Sequence, residues 1–277
     1  MGLRISTNVA AINAQRTMST NTREMQKSMA QLSTGSRITK AGDDAAGLAI
    51  SENLKSTIRS YGQASRNAND GISMIQTAEQ SMGEISNVLT RVRELGIQAS
   101  SDTIGDQERG FIQSEVNALK SEVQRVAEST TFGSRKLLDG SGGIYDIHVG
   151  TSANAATDWI GYDASSTDVS VAKLGIENLD FTTKSGARDG LGALDSAQLS
   201  VNGSRANLGA LQNRLTSTVD VIGTMTESMS AANSRLRDAD IASTTSELAR
   251  NQVLLQGTTA VLAQANQSPQ MALKLIG

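Results

Sequence analysis

Residues 58–99 read IRSYGQASRNANDGISMIQTAEQSMGEISNVLTRVRELGIQA, and this stretch decides the fold. Ile58, Tyr61, Ala68, Ile72, Ile75, Met82, Ile85, Leu89 and Val92 recur at steps built from threes and fours, and Ala64, Ala78 and Ala99 fill gaps in the stripe. That spacing lays one narrow apolar seam along a helix, the pattern of a coiled-coil partner rather than of a broad core-facing surface. Carried back to a cap at Asp43 or Asp44, the helix covers about 56 residues, or roughly 84 Å. A compact chain of this length has a radius of gyration of only about 19 Å, so the expected shape is a rod. Gly47, Gly62, Gly71, Gly83 and Gly96 lie inside the helix, each costing about 1 kcal/mol relative to alanine. Such a helix needs neighbours along its whole length.

Composition narrows what those neighbours build. The 277 residues carry a net charge of −3, which leaves no basic excess to neutralise phosphates and argues against nucleic-acid binding. Aromatics at 3% and hydrophobics at 38% suit helix–helix seams better than one large globular core. With no cysteine, disulfides, thiol catalysis and cysteine-ligated metals are excluded together. The N-terminus shows no apolar core of a secretory signal, and no apolar run is long enough for a membrane-spanning helix. Met1-Gly2-Leu3-Arg4-Ile5-Ser6 satisfies the loose myristoylation pattern, which specifies too few residues to outweigh coincidence.

Around the long helix the chain supplies partners. Residues 3–33 read as a first helix, with Ala11, Met18, Met25 and Leu32 seven apart, Met29 between them, and Leu3, Ile5, Val9 and Ile12 extending the apolar face. Ser33–Arg37 and Ala41–Asp44 break that pattern as a connector. Ser100–Gln107 is a reversal, and Ile112, Val116, Leu119, Val123 and Val126 then give a third helix folding back on the second. Asp139-Gly140 reads as a hairpin turn. Tyr145–Val149 alternates like a strand, Trp159–Tyr162 and Val169–Val171 more weakly. A fourth helix from about Leu194 to Ala232, with Leu208, Leu211, Leu215, Val219, Ile222, Met225 and Met229, is the natural antiparallel partner of the long one. In the last segment Ile241, Leu248, Leu255 and Leu262 fall at strict seven-residue spacing, and Asn251–Leu273 holds no Lys, Arg, Asp or Glu. Gln252, Gln256, Gln264, Asn266 and Gln267 make it too polar for a bilayer, so burial against other protein surfaces, chiefly copies of itself, is expected. The first and last segments are expected to stay disordered until a partner covers their seams.

Catalytic chemistry is not legible. His148 is the only histidine, which removes histidine-based triads and His-rich metal sites. Asp43/Asp44 reads as a helix cap, and Asp238/Asp240 as an ion network with Arg235 and Arg237 rather than as acid/base pairs. Gly140, Gly142 and Gly143 do not open a helix after a strand, so they form no phosphate loop. The sequons at Asn202 and Asn266 fall in helical segments. No enzyme, cofactor or metal is expected.

Two stretches carry a family resemblance. Leu32-Ser-Thr-Gly-Ser-Arg-Ile-Thr-Lys-Ala-Gly-Asp-Asp-Ala-Ala-Gly-Leu-Ala-Ile-Ser51 resembles the N-terminal signature of bacterial flagellin. Ser234-Arg-Leu-Arg-Asp-Ala-Asp-Ile-Ala242 and Leu262-Ala-Gln-Ala-Asn-Gln-Ser-Pro-Gln270 resemble its C-terminal signature. The resemblance covers about residues 1–140 and 195–277, with Gly257 where alanine is usual and Ser243-Thr244-Thr245 less acidic than the common pattern. It implies paired terminal helices lining the inner channel of a helical filament, long helices in the next layer, and export through the flagellar secretion system without a cleaved signal. The subunit then self-assembles outside the cell for swimming motility. Implied partners are other copies, an export chaperone at the C-terminal segment, and the hook–filament junction and cap proteins. Arg91-Val-Arg-Glu-Leu-Gly-Ile-Gln98 resembles the segment by which many flagellins are recognised by the flagellin-sensing Toll-like receptor. Arg91, Leu95 and Gln98, with Glu115 on the adjoining helix, are therefore expected on one face, available to the receptor or to the next subunit along the filament.

The expected protein is thus mainly α: a rod of long antiparallel helices with coiled-coil-like packing and a small β-hairpin element near the middle. Residues 1–43 and 237–277 are expected as the paired inner helices, and 44–236 as a rod domain with an insertion at about 138–192. Val9, Ile12, Met18, Met25, Met29, Leu32, Ile241, Leu248, Leu255 and Leu262 are the expected inner-core polymer contacts. The alternatives are a hook–filament junction protein and, more distantly, a secreted helical translocator or effector.

Overall fold

The computed structural model describes residues 7–276. The chain forms two compact units, Met1–Ser56 with Ser228–Gly277, and Thr57–Glu227. The breaks fall inside helices α2 (Ala45–Ala99) and α5 (Lys184–Arg237), each of which contributes to both units.

The first unit is built on α1 (Val9–Thr34) and α6 (Ile241–Ile276), which pack against each other. Asn8 caps α1 by accepting the Ala11 amide at 3.0 Å, and Gly35 ends it in the left-handed conformation. The predicted start at residue 3 is six residues early, since α1 begins at Val9; Leu3, Ile5 and the Met1–Ser6 pattern lie outside the described residues. Asp240 caps α6 by accepting the amides of Ala242 and Ser243. The two helices run antiparallel. At one end Arg37 N–H donates to Arg237 O and Ala239 N–H to Gly35 O, at 2.6 and 2.9 Å. At the other, the Asn8 amide donates to Ala265 O at 2.7 Å. Each terminal segment thus finds a partner in the other.

The second unit has its core along the stripe read from residues 58–99. Ile75, Met82, Ile85, Leu89 and Val92 are all buried, against Val116 and Val123 of α3 (Asp106–Ser129) and Leu194, Leu208 and Leu215 of α5. Burial of each such side chain contributes about 2 kcal/mol. The predicted pairing of the long helix with the fourth holds: Arg93 meets Asp195 at 2.8 Å, Gln198 reaches Ser86 at 2.6 Å, and Arg205 lies 3.6 Å from Glu79. Residue numbers rise on one helix as they fall on the other, so the helices are antiparallel. The reversal after α2 is fixed by Arg109, whose buried guanidinium donates to Ala99 O and Ser101 O at 2.9 and 3.0 Å and pairs with Asp106. These are the carbonyls a helix C-terminus leaves without partners.

Between α3 and α5 stand two antiparallel pairs, β1 (Thr131–Phe132) with β2 (Arg135–Lys136), and β3 (Ile144–His148) with β4 (Trp159–Asp163). A short helix, α4 (Ala155–Asp158), precedes β4. The predicted turn at Asp139-Gly140 is corrected: the tight turn is Gly133-Ser134, between β1 and β2, where Gly133 takes φ 62°. Asp139 instead accepts the Ser141 amide and hydroxyl in a bend. Val169–Val171 forms no strand: Val169 is buried and its N–H donates to Leu138 O at 3.1 Å, a single bond outside any ladder. The fourth helix begins at Lys184, ten residues before its predicted start, since Gly186, Gly190 and Gly192 mask the periodicity there. β3 settles on α2 at Gly71, where a Cβ would stand 2.5 Å from Ile147 Cδ1. Asn67 secures the same contact by donating to His148 O at 3.0 Å.

Candidate assembly surfaces

The seam between α1 and α6 follows from their periodicity. In α1 the shielded positions Ala11, Ala14, Met18, Asn21, Met25, Ser28 and Leu32 step by three and four. In α6 Thr244, Leu248, Asn251, Leu255, Thr258, Leu262 and Ala265 do the same. The hydrogen bonds at both ends fix the register. They bring Ala11 level with Leu262, Met18 with Leu255 and Met25 with Leu248, so three layers of the two heptads face each other within one chain; at the end of the seam Ile241, level with Leu32, stays exposed. Between these layers lie Ala14 with Thr258, Asn21 with Asn251, and Ser28 with Thr244.

The ten residues expected as polymer contacts therefore divide. Met18, Met25, Leu32, Leu248, Leu255 and Leu262 are half-buried along this seam, whereas Val9, Ile12, Met29 and Ile241 are exposed. Sequence reading missed three further exposed apolar residues of α6, Val253 at 67%, Leu254 and Val261. Their signal is present: each lies off the heptad, inside the charge-free run. It also missed the polar half of the seam, including Thr244, which is buried at 7% exposure.

The connector after α1 is organised by Asp43. Its carboxylate accepts the Thr39 hydroxyl, the Thr39 amide and the Lys40 amide at 3.0–3.1 Å, and Lys27 approaches at 3.4 Å. The Thr39 hydroxyl bond first, then these other donors, hold its pKa down at about 2. Asp44 caps α2 by accepting the Gly47 amide. The predicted ion network at Asp238 and Asp240 is corrected: Asp238 accepts from Ser234, Asp240 caps α6, and Arg237 pairs with Glu52.

On the second unit, Arg91 meets Glu115 at 3.0 Å and Glu94 at 3.1 Å, both on exposed surface. The Glu115 hydrogen bond, then that of Glu94, raises the guanidinium pKa. Gln98 is exposed as well, but Leu95 does not share that face. It is 2% exposed and belongs to the α2 core stripe, as its step of three from Val92 dictates. Phe111 of α3 and Ile97 of α2 are exposed apolar residues on the same two helices.

Among the described residues no group of three His, Asp or Glu side chains could hold a metal ion. His148 is half-buried, bonds Ser152 O through Nε2 and stands edge-on to Trp159 at 6.0 Å. A groove of about 540 Å³ beside β3 is lined by Asn67, Met74, Arg135 and Tyr145. There Arg135 stacks on the Tyr145 ring at 4.9 Å. No described helix is long and apolar enough to cross a membrane.

A chain of seamed helices with apolar outer faces is a structural protein in class, and comparison with known proteins gives its family. Residues 5–142 match the bacterial flagellin N-terminal helical region, and residues 191–276 the bacterial flagellin C-terminal helical region. Flagellin from Halalkalibacterium halodurans is 40% identical over 98% of this chain and 99% of its own length. Flagellin from Bacillus subtilis is 40% identical over 99% and 100%, and the flagellar filament 33 kDa core protein of Treponema phagedenis 38% identical over 98% and 99%. Among solved structures, Bacillus cereus flagellin superposes with TM-score 0.51 at 27% identity, over 56% of this chain and 88% of its own. The chain belongs to the bacterial flagellin family. It is a structural subunit of the flagellar filament.

Proposed function

We propose that the outward apolar residues of α1 and α6 are the contacts that hold one subunit to the next in the filament. Val9, Ile12, Met29, Ile241, Val253, Leu254 and Val261 are those contacts, and the seam residues Met18, Met25, Leu32, Leu248, Leu255 and Leu262 act indirectly, by forming the hairpin that presents them. The observation that carries this reading is exposed Val253 and Val261 on a helix with no charge from Asn251 to Leu273. Such a surface is poorly solvated in a free chain and is satisfied by burial against copies of itself. Contacts between unlike faces that do not close on themselves propagate as a helix. The subunit works outside the cell, exported by the flagellar secretion route, with no catalytic role. By family resemblance the C-terminal segment is also where an export chaperone binds, and the hook–filament junction and cap proteins take the same hairpin at the filament ends.

The Arg91, Gln98 and Glu115 face, with Phe111, is a second subunit contact, along the filament axis. The Toll-like receptor resemblance applies to the same face in the free chain, with Leu95 acting from beneath rather than by touching the partner. Val253→Asp with Val261→Asp tests the main reading. Helicity is expected to stay near that of the parent, while the mass of filament sedimented after seeding falls to background. Filaments in normal yield would overturn it.

A further inference from the structure

Strand β3 is hydrogen-bonded to β4 alone. Ala164 N–H donates to Gly143 O and Val149 N–H to Asp158 O, which fixes the residues whose backbone groups face β4 as Gly143, Tyr145, Ile147 and Val149. Those of Ile144, Asp146 and His148 therefore point to the opposite edge. Asn67 of α2 bonds the His148 carbonyl there, and among the described residues nothing bonds the backbone of Ile144 or Asp146 on that side. The open edge borders the groove of about 540 Å³, whose other walls are α2 at Asp70 and Met74 and the β1–β2 hairpin at Phe132. An unpaired edge beside a groove is a template for one more strand.

The side chains around the edge define what that strand carries. Ile144 is 67% exposed, a large apolar side chain left on the edge itself. Asp146 is exposed and forms no ion pair among the described residues, and the same holds for Asp70. Arg135, the cation at the rim, is held over the Tyr145 ring. The unpaired charge of the groove is thus negative. A second copy of β3 is a poor occupant. Antiparallel pairing about Asp146 sets that carboxylate opposite itself, and like charges directly opposite one another are destabilising.

We propose that the free edge of β3 is a docking site for an extended basic segment of another protein, paired antiparallel along Ile144–Asp146. In that pairing a Lys or Arg lies opposite Asp146 on the outer face. The next residue turns inward toward Met74 and Phe132, and the third, also apolar, covers Ile144. Backbone bonds at Ile144 and Asp146 supply affinity, and the side chains supply the choice of partner. Asn67 closes the edge at His148, which limits the site to about three residues, roughly 10 Å of strand. The site lies within the second unit and is independent of the terminal hairpin.

The probe is the terminally blocked, fluorescein-labelled pentapeptide Thr-Lys-Val-Val-Thr, titrated into the full-length unpolymerised chain. Saturable binding is expected, with amide exchange slowed at Ile144 and Asp146. Replacing the Lys of the probe with Glu, or methylating the backbone nitrogens of its Lys and second Val, is expected to weaken binding roughly tenfold or more. Asp146→Lys changes an exposed position, so its thermal unfolding should match the parent, and it should reverse the preference toward the Glu probe. The proposal is overturned if no saturable binding occurs up to about 1 mM, if the Glu or methylated probe binds as well as the original, or if Asp146→Lys leaves the preference unchanged. Slowed exchange at Ile144 and Asp146 in a dimer formed without any probe would show that a copy takes the edge, and would overturn it too. Because the chain is unpolymerised throughout, none of these outcomes bears on the filament contacts proposed above.

Discussion

Asp43 shows how much one side chain organises. Hydrogen bonds from Thr39, with Lys40 and Lys27, hold its pKa at about 2, below the ordinary 3.8. A carboxylate with a depressed pKa stabilises the fold fully above its unfolded value and loses that contribution as pH falls through the folded one. Backbone amides of Thr39 and Lys40 should therefore stay protected from exchange at pH 5 and open between about pH 4 and 2. Asp43→Asn should remove that pH dependence. Arg109 is the counterpart in the second unit. Arg109→Ala strands the carbonyl of Ala99, leaves Ser101 O only a long bond from the Ile104 amide, and should destabilise by about 2 kcal/mol in chemical denaturation. Glycine separates two local effects. Gly83 has nothing within 4 Å of an added Cβ, so Gly83→Ala should stabilise by about 1 kcal/mol through helix propensity alone. Gly71→Ala brings the same gain but drives a methyl into Ile147, which costs about 1–3 kcal/mol, so its net effect should be destabilising. The cap at Asp43/Asp44 and the reversal after residue 99 are legible in sequence; that Arg109 closes the reversal and that Ile147 presses on Gly71 are not, since the first needs the folded turn and the second a partner far along the chain.

At the scale of elements, periodicity carried most of the reading. The long helix, its antiparallel partner and both terminal helices follow from stripes at three- and four-residue steps, because a seam buried along one line constrains one side chain in every turn. The same logic supplied the heptads of Ala11–Leu32 and Ile241–Leu262 that face each other. It failed where burial does not run along a stripe. Leu95 reads as a surface residue beside Arg91 yet completes the core. Val169–Val171 reads as a strand and lies in a loop whose apolar side chains point inward singly. The start of α5 is hidden by its glycines. The polar layers of the terminal seam were passed over because the apolar positions alone satisfy the heptad. Replacing Leu255 with Asp should therefore differ from changes on the outer face. It puts a charge into the α1/α6 seam and should lose the protease resistance of both terminal helices, whereas Val253→Asp should keep it.

For the molecule as a whole, the two units differ in what they bury. Thr57–Glu227 holds a core of three helices and two strand pairs that is complete within itself. The unit built on the chain ends buries a thin seam and leaves apolar side chains facing outward, the surface proposed above to hold one subunit to the next. The family identity agrees with that division, since the two matched regions are the helical ends of flagellins, and the stretch between them, residues 143–190, holds β3, α4 and β4. The measurement that tests the account most directly is electron microscopy and sedimentation of the full chain, seeded or salted out, beside a chain ending at Leu236. Long filaments from the full chain and a folded but unpolymerised shorter one are the predicted result. Filaments of equal length from both would contradict the assignment of the polymer contacts to the terminal hairpin.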